Sequence, residues 1–366
     1  MGKTKPPKTA GTYLEHGITF MRRKKYDMTI EELIEAFGLA PNPATVYGIR
    51  GDEHYNKGDL DSAIANYSQA IKLDPNYTGA YYNRGIAYDD KGDSDSAIAD
   101  YSQAIKLDPN GADAYFNRGV AYDDKGDPDS AIADYSQAIK LDPNRADAYF
   151  NRGAAYDDKG DPGSAIADYN QAIKLDPNDA EAYYNRGIAY DDKGDSDSAI
   201  ADYSQAIKLD PNYAEAYYNR GVVYDDKGDS GNAFDDYSQA IKLDPNHAKA
   251  YCNRGNIYDD KGDSGSAFAD YSRAIKLDPN DADAYYNRGG VYYDKGDLDN
   301  AIADYSQAIK LDPNDAGTYF KRGLAYYDKG DLDSARADFE RVVQIDPKDK
   351  NTRKRLQYLN AQMSAR

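Results

Sequence analysis

Seven asparagines recur at intervals of 34 residues: Asn83, Asn117, Asn151, Asn185, Asn219, Asn253 and Asn287. An Asn side chain offers one acceptor and two donors, matching the C=O and N–H that an extended peptide presents. Just before them stand rings, at Tyr82, Phe116, Phe150, Tyr184, Tyr218 and Tyr286, with Cys252 breaking the series and Phe320 extending it. Aromatic side chains of this kind anchor interfaces when exposed, or else pack against the next helix. Beyond Asn185 comes Asp191-Asp192, an acidic pair that six units repeat. These residue types suit binding better than bond breaking.

The catalytic look-alikes do not survive inspection. Gly228-Asp229-Ser230-Gly231 and Gly262-Asp263-Ser264-Gly265 spell a serine-protease motif, but no triad context accompanies them. The Asp-rich stretch DDKGDSDS has neither the spacing nor the closing Glu of an EF-hand loop. His16, His54 and His247 are scattered, so no zinc site is visible. Cys252 stands alone and is expected to be inert. Asn66-Tyr67-Ser68 matches a glycosylation sequon but falls inside an expected helix. No cofactor, metal or enzymatic activity is expected.

The elements that must carry these residues are legible in Ala180–Tyr213, AEAYYNRGIAYDDKGDSDSAIADYSQAIKLDPNY, which recurs along most of the chain. In its first half Ala182, Tyr183, Gly187 and Tyr190 form one stripe at helical spacing. Lys193 and Gly194 close that helix, a cation near the carbonyl end followed by a residue free to turn left-handed. Asp195 is a good N-cap for a second helix, whose apolar stripe is Ala199, Tyr203, Ala206 and Ile207. Pro211 cannot continue it. Each hairpin is too small to bury its own apolar face and must stack on its neighbours.

Composition agrees. The chain has 37 Tyr and 8 Phe, and Tyr suits a thin core that is never far from water. One Cys rules out an internal disulfide and fits a reducing compartment. No run is apolar enough to span a membrane, and no secretory signal is visible, so a cytoplasmic location is expected. The net charge of −19 divides into +2 for residues 1–43, −26 for 44–347 and +5 for 348–366. Such repeats repel nucleic acid and anionic membranes and favour cationic partners, and the charge also keeps a Tyr-rich array in solution.

A fixed 34-residue period with two helical halves resembles the tetratricopeptide repeat (TPR) family. With Ala180 as position 1, the family's marker positions hold Tyr183 (4), Gly187 (8), Tyr190 (11), Ala199 (20), Tyr203 (24), Ala206 (27) and Pro211 (32). Two departures are Tyr183 where the family often has Trp, and Arg186, at position 7, where it usually has Leu. What Arg186 packs against is left open at this point. The resemblance implies an all-α fold, an α-solenoid forming a right-handed superhelix of helix-turn-helix units. It also implies that positions 2, 5, 6, 9, 12 and 13 face a concave surface. There the asparagines, at position 6, resemble the ladder by which the TPR domain of the O-linked N-acetylglucosamine transferase grips peptide backbone. First helices about 10 Å apart would match roughly three residues of extended peptide. The family's carboxylate clamp is not expected, because position 5 is aromatic and position 9 mostly apolar.

We therefore expect a disordered tail over 1–9, then a degenerate first repeat and N-terminal cap over 10–43, with the basic turn Arg22-Arg23-Lys24-Lys25. Nine repeats follow, at 44–77, 78–111, 112–145, 146–179, 180–213, 214–247, 248–281, 282–315 and 316–347. A capping helix occupies 348–366, with Leu356, Leu359 and Met363 on its apolar face. The expected function is a protein-binding scaffold or adaptor that takes an extended, basic partner segment, with no nucleic acid and no membrane insertion. The alternatives are a regulatory or substrate-recruiting subunit of an enzyme complex, and a self-assembling array in which basic ends meet acidic middles.

Overall fold

A computed structural model describes residues 42–364. The expected tail and degenerate repeat, with the Arg22-Arg23-Lys24-Lys25 turn, lie outside the described residues, apart from Asn42 and Pro43, which cap and open the first helix described.

Every second helix starts from the same local chemistry. An Asp N-cap accepts the backbone N–H three residues on, as Asp127 does from Ser130 at 3.2 Å and Asp93 from Ser96 at 3.1 Å. That satisfies one of the donors a helix start leaves free, and places a negative charge at the positive end of the helix dipole. The preceding Gly turns the chain, with φ between +72° and +88° at Gly58, Gly126, Gly194 and their equivalents. Each second helix ends in an extended Asp that accepts the N–H two residues on, from an Asn in all but the last, as Asp142 does from Asn144 at 3.1 Å and Asp346 from Lys348 at 2.9 Å.

Among the described residues all regular elements are helices, nineteen in number. In the stretch Met1–Asn178, the described pairs are α1 (Pro43–Asn56) with α2 (Leu60–Leu73), α3 (Thr78–Asp89) with α4 (Ser94–Leu107), α5 (Ala112–Asp124) with α6 (Pro128–Leu141), and α7 (Ala146–Asp158) with α8 (Pro162–Leu175). In Asp179–Arg366 they are α9 (Ala180–Asp192) with α10 (Ser196–Leu209), α11 (Ala214–Asp226) with α12 (Ser230–Leu243), α13 (Ala248–Asp260) with α14 (Ser264–Leu277), α15 (Ala282–Asp294) with α16 (Leu298–Leu311), and α17 (Ala316–Lys329) with α18 (Leu332–Ile345). The helix α19 (Lys350–Ser364) closes the second unit. Within each unit every hairpin packs on the next, and successive first helices touch, as α3 does α5 and α15 does α17. This is an all-α solenoid.

The core is a column of small residues and rings. Tyr67, Tyr101, Tyr135 and their equivalents on the second helices are at most 2% exposed. Each presses on a glycine of the paired first helix: a Cβ on Gly119 would lie 2.7 Å from the Tyr135 ring, and one on Gly255 2.7 Å from Tyr271. Position 8 is therefore glycine because the ring takes the volume that a Cβ would need. On α19, Leu359 is buried and Leu356 and Met363 pack beside it, against Phe320, Leu324 and Phe339.

Candidate functional site: the repeated asparagine and aspartate positions

The arginine at position 7, whose role the sequence left open, holds the hairpin together. Arg118 on α5 donates from Nε to Asp134 Oδ2 at 2.6 Å and from Nη2 to Asp134 Oδ1 at 2.8 Å, a two-pronged pair with its carboxylate on α6. Its Nη1 reaches back to Ser102 Oγ on α4, 2.9 Å away. The guanidinium lies 5.7 Å from the Tyr115 ring and 6.0 Å from Tyr122. The same clasp joins Arg84 to Asp100, Arg152 to Asp168, Arg186 to Asp202, Arg220 to Asp236, Arg254 to Asp270, Arg288 to Asp304 and Arg322 to Asp338. So the half-buried tyrosines at positions 4 and 11 flank a cation rather than an apolar side chain. Arg186 does not pair with the Asp191-Asp192 doublet. The lysine that follows such doublets also turns elsewhere, Lys125 to Asp95 and Lys227 to Asp197 of the preceding hairpin. Position 23, the clasp's carboxylate, was missed in the sequence. Its signal was an Asp 16 residues after the Arg in eight of the nine repeats, facing inward on a stripe otherwise apolar.

The clasp fixes the first helices, and these carry the candidate residues. The rings at position 5 are half-buried and lean on the core ring of their own hairpin. Centroids are 6.0 Å apart for Tyr82–Tyr101, 5.7 Å for Phe116–Tyr135 and Phe150–Tyr169, 5.8 Å for Tyr184–Tyr203, and 5.9 Å for Tyr218–Tyr237 and Tyr286–Tyr305. The variable residue at position 34 covers several of them, Arg145 over Phe116 at 3.9 Å, Tyr213 on Tyr184 at 4.7 Å and His247 on Tyr218 at 4.4 Å.

The asparagines are half-buried, and most amide groups are turned to a neighbouring hairpin. Asn117 Nδ2 donates to the Tyr82 hydroxyl at 3.0 Å, and Asn219 Nδ2 to that of Tyr184 at 2.9 Å. Asn253 Nδ2 lies 3.5 Å from the Tyr218 hydroxyl and 3.4 Å from that of Tyr237. Phe116 offers no hydroxyl, and Asn151 bonds to Tyr135 instead. Asn83 Nδ2 donates to Asp52 Oδ1, and Asn287 Nδ2 to Asn256 Oδ1, both at 2.9 Å. Asn185 stands half-buried at the same place on α9.

The doublets bring carboxylates of successive hairpins near enough to raise one another's pKa. Burial pushes the Asp89 carboxyl up to about 6, with Asp124 and Asp90 adding to it. Asp123 rises through burial, with Asp158 and Asp124 contributing; Asp191 rises through burial, then Asp226 and Asp192. Asp225 and Asp259 follow the same pattern, facing Asp260 and Asp294. Like charges this close disfavour ionisation, as burial does. The pairing ends where tyrosine replaces the first Asp: Tyr55 donates to Asp90, and Tyr293 to Asp328.

Cys252 is buried, and burial pushes its thiol up to about 12, which leaves it unreactive. Among the described residues no group of three or more His, Cys, Asp or Glu is placed to hold a metal ion, and no helix is long and apolar enough to cross a membrane.

Nothing matches among curated proteins. Solved structures do. The C-terminal part of a TPR repeat-containing protein from Cytophaga hutchinsonii is 22% identical, with 65% of this chain and 97% of that one covered, at a TM-score of 0.56. A chain of the APC/C hetero-tetramer Cut9–Hcn1 is 16% identical, with 96% and 83% covered, at 0.52. These two show the fold alone. MamA is 33% identical over 48% of this chain and 95% of its own, at 0.45. Models described as TPR or tetratricopeptide repeat match residues 51–92, 82–146, 116–180, 168–201, 189–228, 214–247, 237–269, 255–296, 289–330 and 316–349. These matches run without a gap from 51 to 349, over the hairpins just described, and the chain belongs to the tetratricopeptide repeat family.

Proposed function

We propose that this chain is a protein-binding scaffold, without a reaction of its own, that holds an extended, basic segment of a partner along its asparagines and paired aspartates. The observation that carries this reading is the facing of carboxylates across successive hairpins, Asp89 with Asp124, Asp191 with Asp226 and Asp225 with Asp260. An arrangement that raises its own ionisation cost gains most from a cation placed between its members. The asparagines contribute differently from a free ladder. One amide N–H is engaged by a neighbouring tyrosine at Asn117, Asn151, Asn219 and Asn253, by Asp52 at Asn83 and by Asn256 at Asn287, so the carbonyl oxygen and the second N–H are the groups offered to a partner's backbone. The position 5 rings, braced by the core ring behind them, give the segment's apolar side chains a firm surface.

The test is fluorescence anisotropy with a labelled twelve-residue peptide of alternating Lys and Ser, beside the same peptide with Glu for Lys. The wild type should bind the lysine peptide, about ten-fold more weakly at 0.5 M than at 0.1 M salt because exposed charges are screened. Asp191→Asn, Asp225→Asn and Asp259→Asn together should weaken it further. Equal binding of both peptides, or of neither, defeats the proposal.

A further inference from the structure

One position breaks the repetition in a way that points to a ligand. Position 9 is apolar or glycine in most hairpins, as at Ile86, Val120, Ala154, Ile188 and Val222, but it is Asp52 on α1 and Asn256 on α13. The two polar residues sit in the same network. Asp52 Oδ1 accepts the Tyr67 hydroxyl at 2.8 Å and Asn83 Nδ2 at 2.9 Å. Asn256 Oδ1 accepts the Tyr271 hydroxyl at 3.0 Å and Asn287 Nδ2 at 2.9 Å. A neutral amide thus satisfies both donors as well as a carboxylate does, so the fold does not need the charge at Asp52. The charge is nevertheless kept half-buried, and burial pushes that carboxyl up despite its two donors. Both bonds fall on Oδ1.

Beside it lies a cavity of about 280 Å³, lined by Asp52, Tyr55, Asn56, Tyr67, Asn83 and Ile86. That is the liquid volume of about nine waters, ample for one long side chain. No cation is among the described residues that line it. Tyr55 is held by its bond to Asp90, which adds a second carboxylate nearby.

We infer that this cavity is a lysine- or arginine-binding subsite, in which the cationic head meets Asp52 Oδ2 and the aliphatic stem lies along Tyr55, Tyr67 and Ile86. This rests on the basic-segment reading above and makes it specific. A repeated face repeats one contact at every step, whereas a single charged subsite selects where along the partner a cation must fall. A half-buried carboxylate with hydrogen bonds but no counter-charge among the described residues is a costly state that such a head relieves.

The test uses the full chain and two labelled twelve-residue Lys/Ser peptides, the second with norleucine in place of one central lysine. Asp52→Asn copies the Asn256 network and should melt like the wild type. It should weaken the all-lysine peptide by about ten-fold, the loss expected for a charge-assisted hydrogen bond. Asp235→Asn, on the exposed side of α12 and outside the doublets, should cost less than about two-fold, in line with an exposed charge. The converse, Asn256→Asp, should tighten the lysine peptide and leave the norleucine peptide behind. If the wild type binds neither peptide, the basic-segment reading itself falls. If the wild type binds but Asp52→Asn loses no more than Asp235→Asn, or Asn256→Asp gains nothing, the subsite alone falls and the scaffold reading stands.

Discussion

The hairpin of α1 and α2 and the hairpins that follow it share a backbone plan but not the charge that holds it. From α3 onward each first helix carries an Arg clasped by an Asp of its partner, as Arg84 is by Asp100. On α1 the arginine is present as Arg50, but position 23 is Asn66, which donates back to the Ser62 carbonyl at 2.8 Å. Arg50 has no carboxylate partner among the described residues. The two networks also use the core ring differently: Tyr67 donates to Asp52 on α1, whereas Tyr135 donates to Asp123, one helical turn further along α5. The comparison teaches that the clasp is a device between hairpins as well as within one. Arg84 reaches Ser68 on α2 at 2.8 Å, so the hairpin lacking a clasp still serves as the acceptor for the next.

The sharpest way to break the comparison is to remove one partner where the clasp is complete. Arg118→Ala leaves Asp134, 6% exposed, without its cation, and should cost about 3–5 kcal/mol. Arg50→Ala, with no carboxylate to strand, should cost less than about 1 kcal/mol. Urea midpoints for the two variants test the contrast directly, and equal losses would show that the clasp is decorative. The glycine under the core ring comes next. Gly119→Ala gains up to about 1 kcal/mol of helix propensity. It also forces a Cβ to within 2.7 Å of the Tyr135 ring, an overpacking cost of about 1–3 kcal/mol. A net loss is therefore expected, and a stabilised variant would mean that the ring yields freely.

The fold was legible because its determinants are local and repeated. Asp195, Gly194 and Pro211 each declare a start, a turn or a stop by their own backbone chemistry, and a 34-residue period repeats the statement along the chain. The clasp was not legible, because Arg186 and Asp202 lie on different helices and neither looks out of place on an acidic, partly exposed hairpin. Only the packing shows that the flanking tyrosines enclose them. The candidate face was legible as positions but not as bonds. The sequence places Asn117 and Tyr82 35 residues apart in separate hairpins, and nothing local says that one donates to the other. Asp52 was passed over for the same reason. In a chain of 64 acidic residues, one more gives no signal until its two donors and its cavity are seen.

A smaller change would sharpen the comparison by completing what α1 and α2 lack. Asn66→Asp puts a carboxylate at the clasp position opposite Arg50. The new pair should raise stability by about 1 kcal/mol, the scale of a single well-placed hydrogen-bonded interaction. Combining it with Arg50→Ala isolates the pair: the gain should vanish, since the coupling belongs to the two residues together. A gain that persists without Arg50 would assign the effect to the helix backbone around Ser62 instead.

The smallest effect expected separates the same regions by pH. Where both members of a doublet are Asp, the folded state holds protons more tightly than the unfolded chain does. Asp89 is pushed from 3.8 up to about 6, and Asp123, Asp191, Asp225 and Asp259 shift in the same direction. Between these limits the native state binds more protons, so its stability rises as pH falls through 6 and the gain is complete below about 4. The N-caps work in the opposite sense. Asp93, Asp127 and Asp331 are held below their ordinary value by the serines they accept from, and their contribution is lost as pH falls below about 4. The melting temperature at constant ionic strength should therefore increase from pH 7 to about pH 4 and then fall. Asp89→Tyr copies the arrangement at Tyr55, which donates to an Asp of the next hairpin instead of facing it with a second charge. That variant should melt higher at pH 7 and show a shallower rise towards pH 5. A melting temperature that declines steadily from pH 7, or an Asp89→Tyr profile parallel to the wild type, would mean that the facing carboxylates are too well solvated to resist ionisation. Their attraction for a basic partner would then be no stronger than that of scattered surface charge.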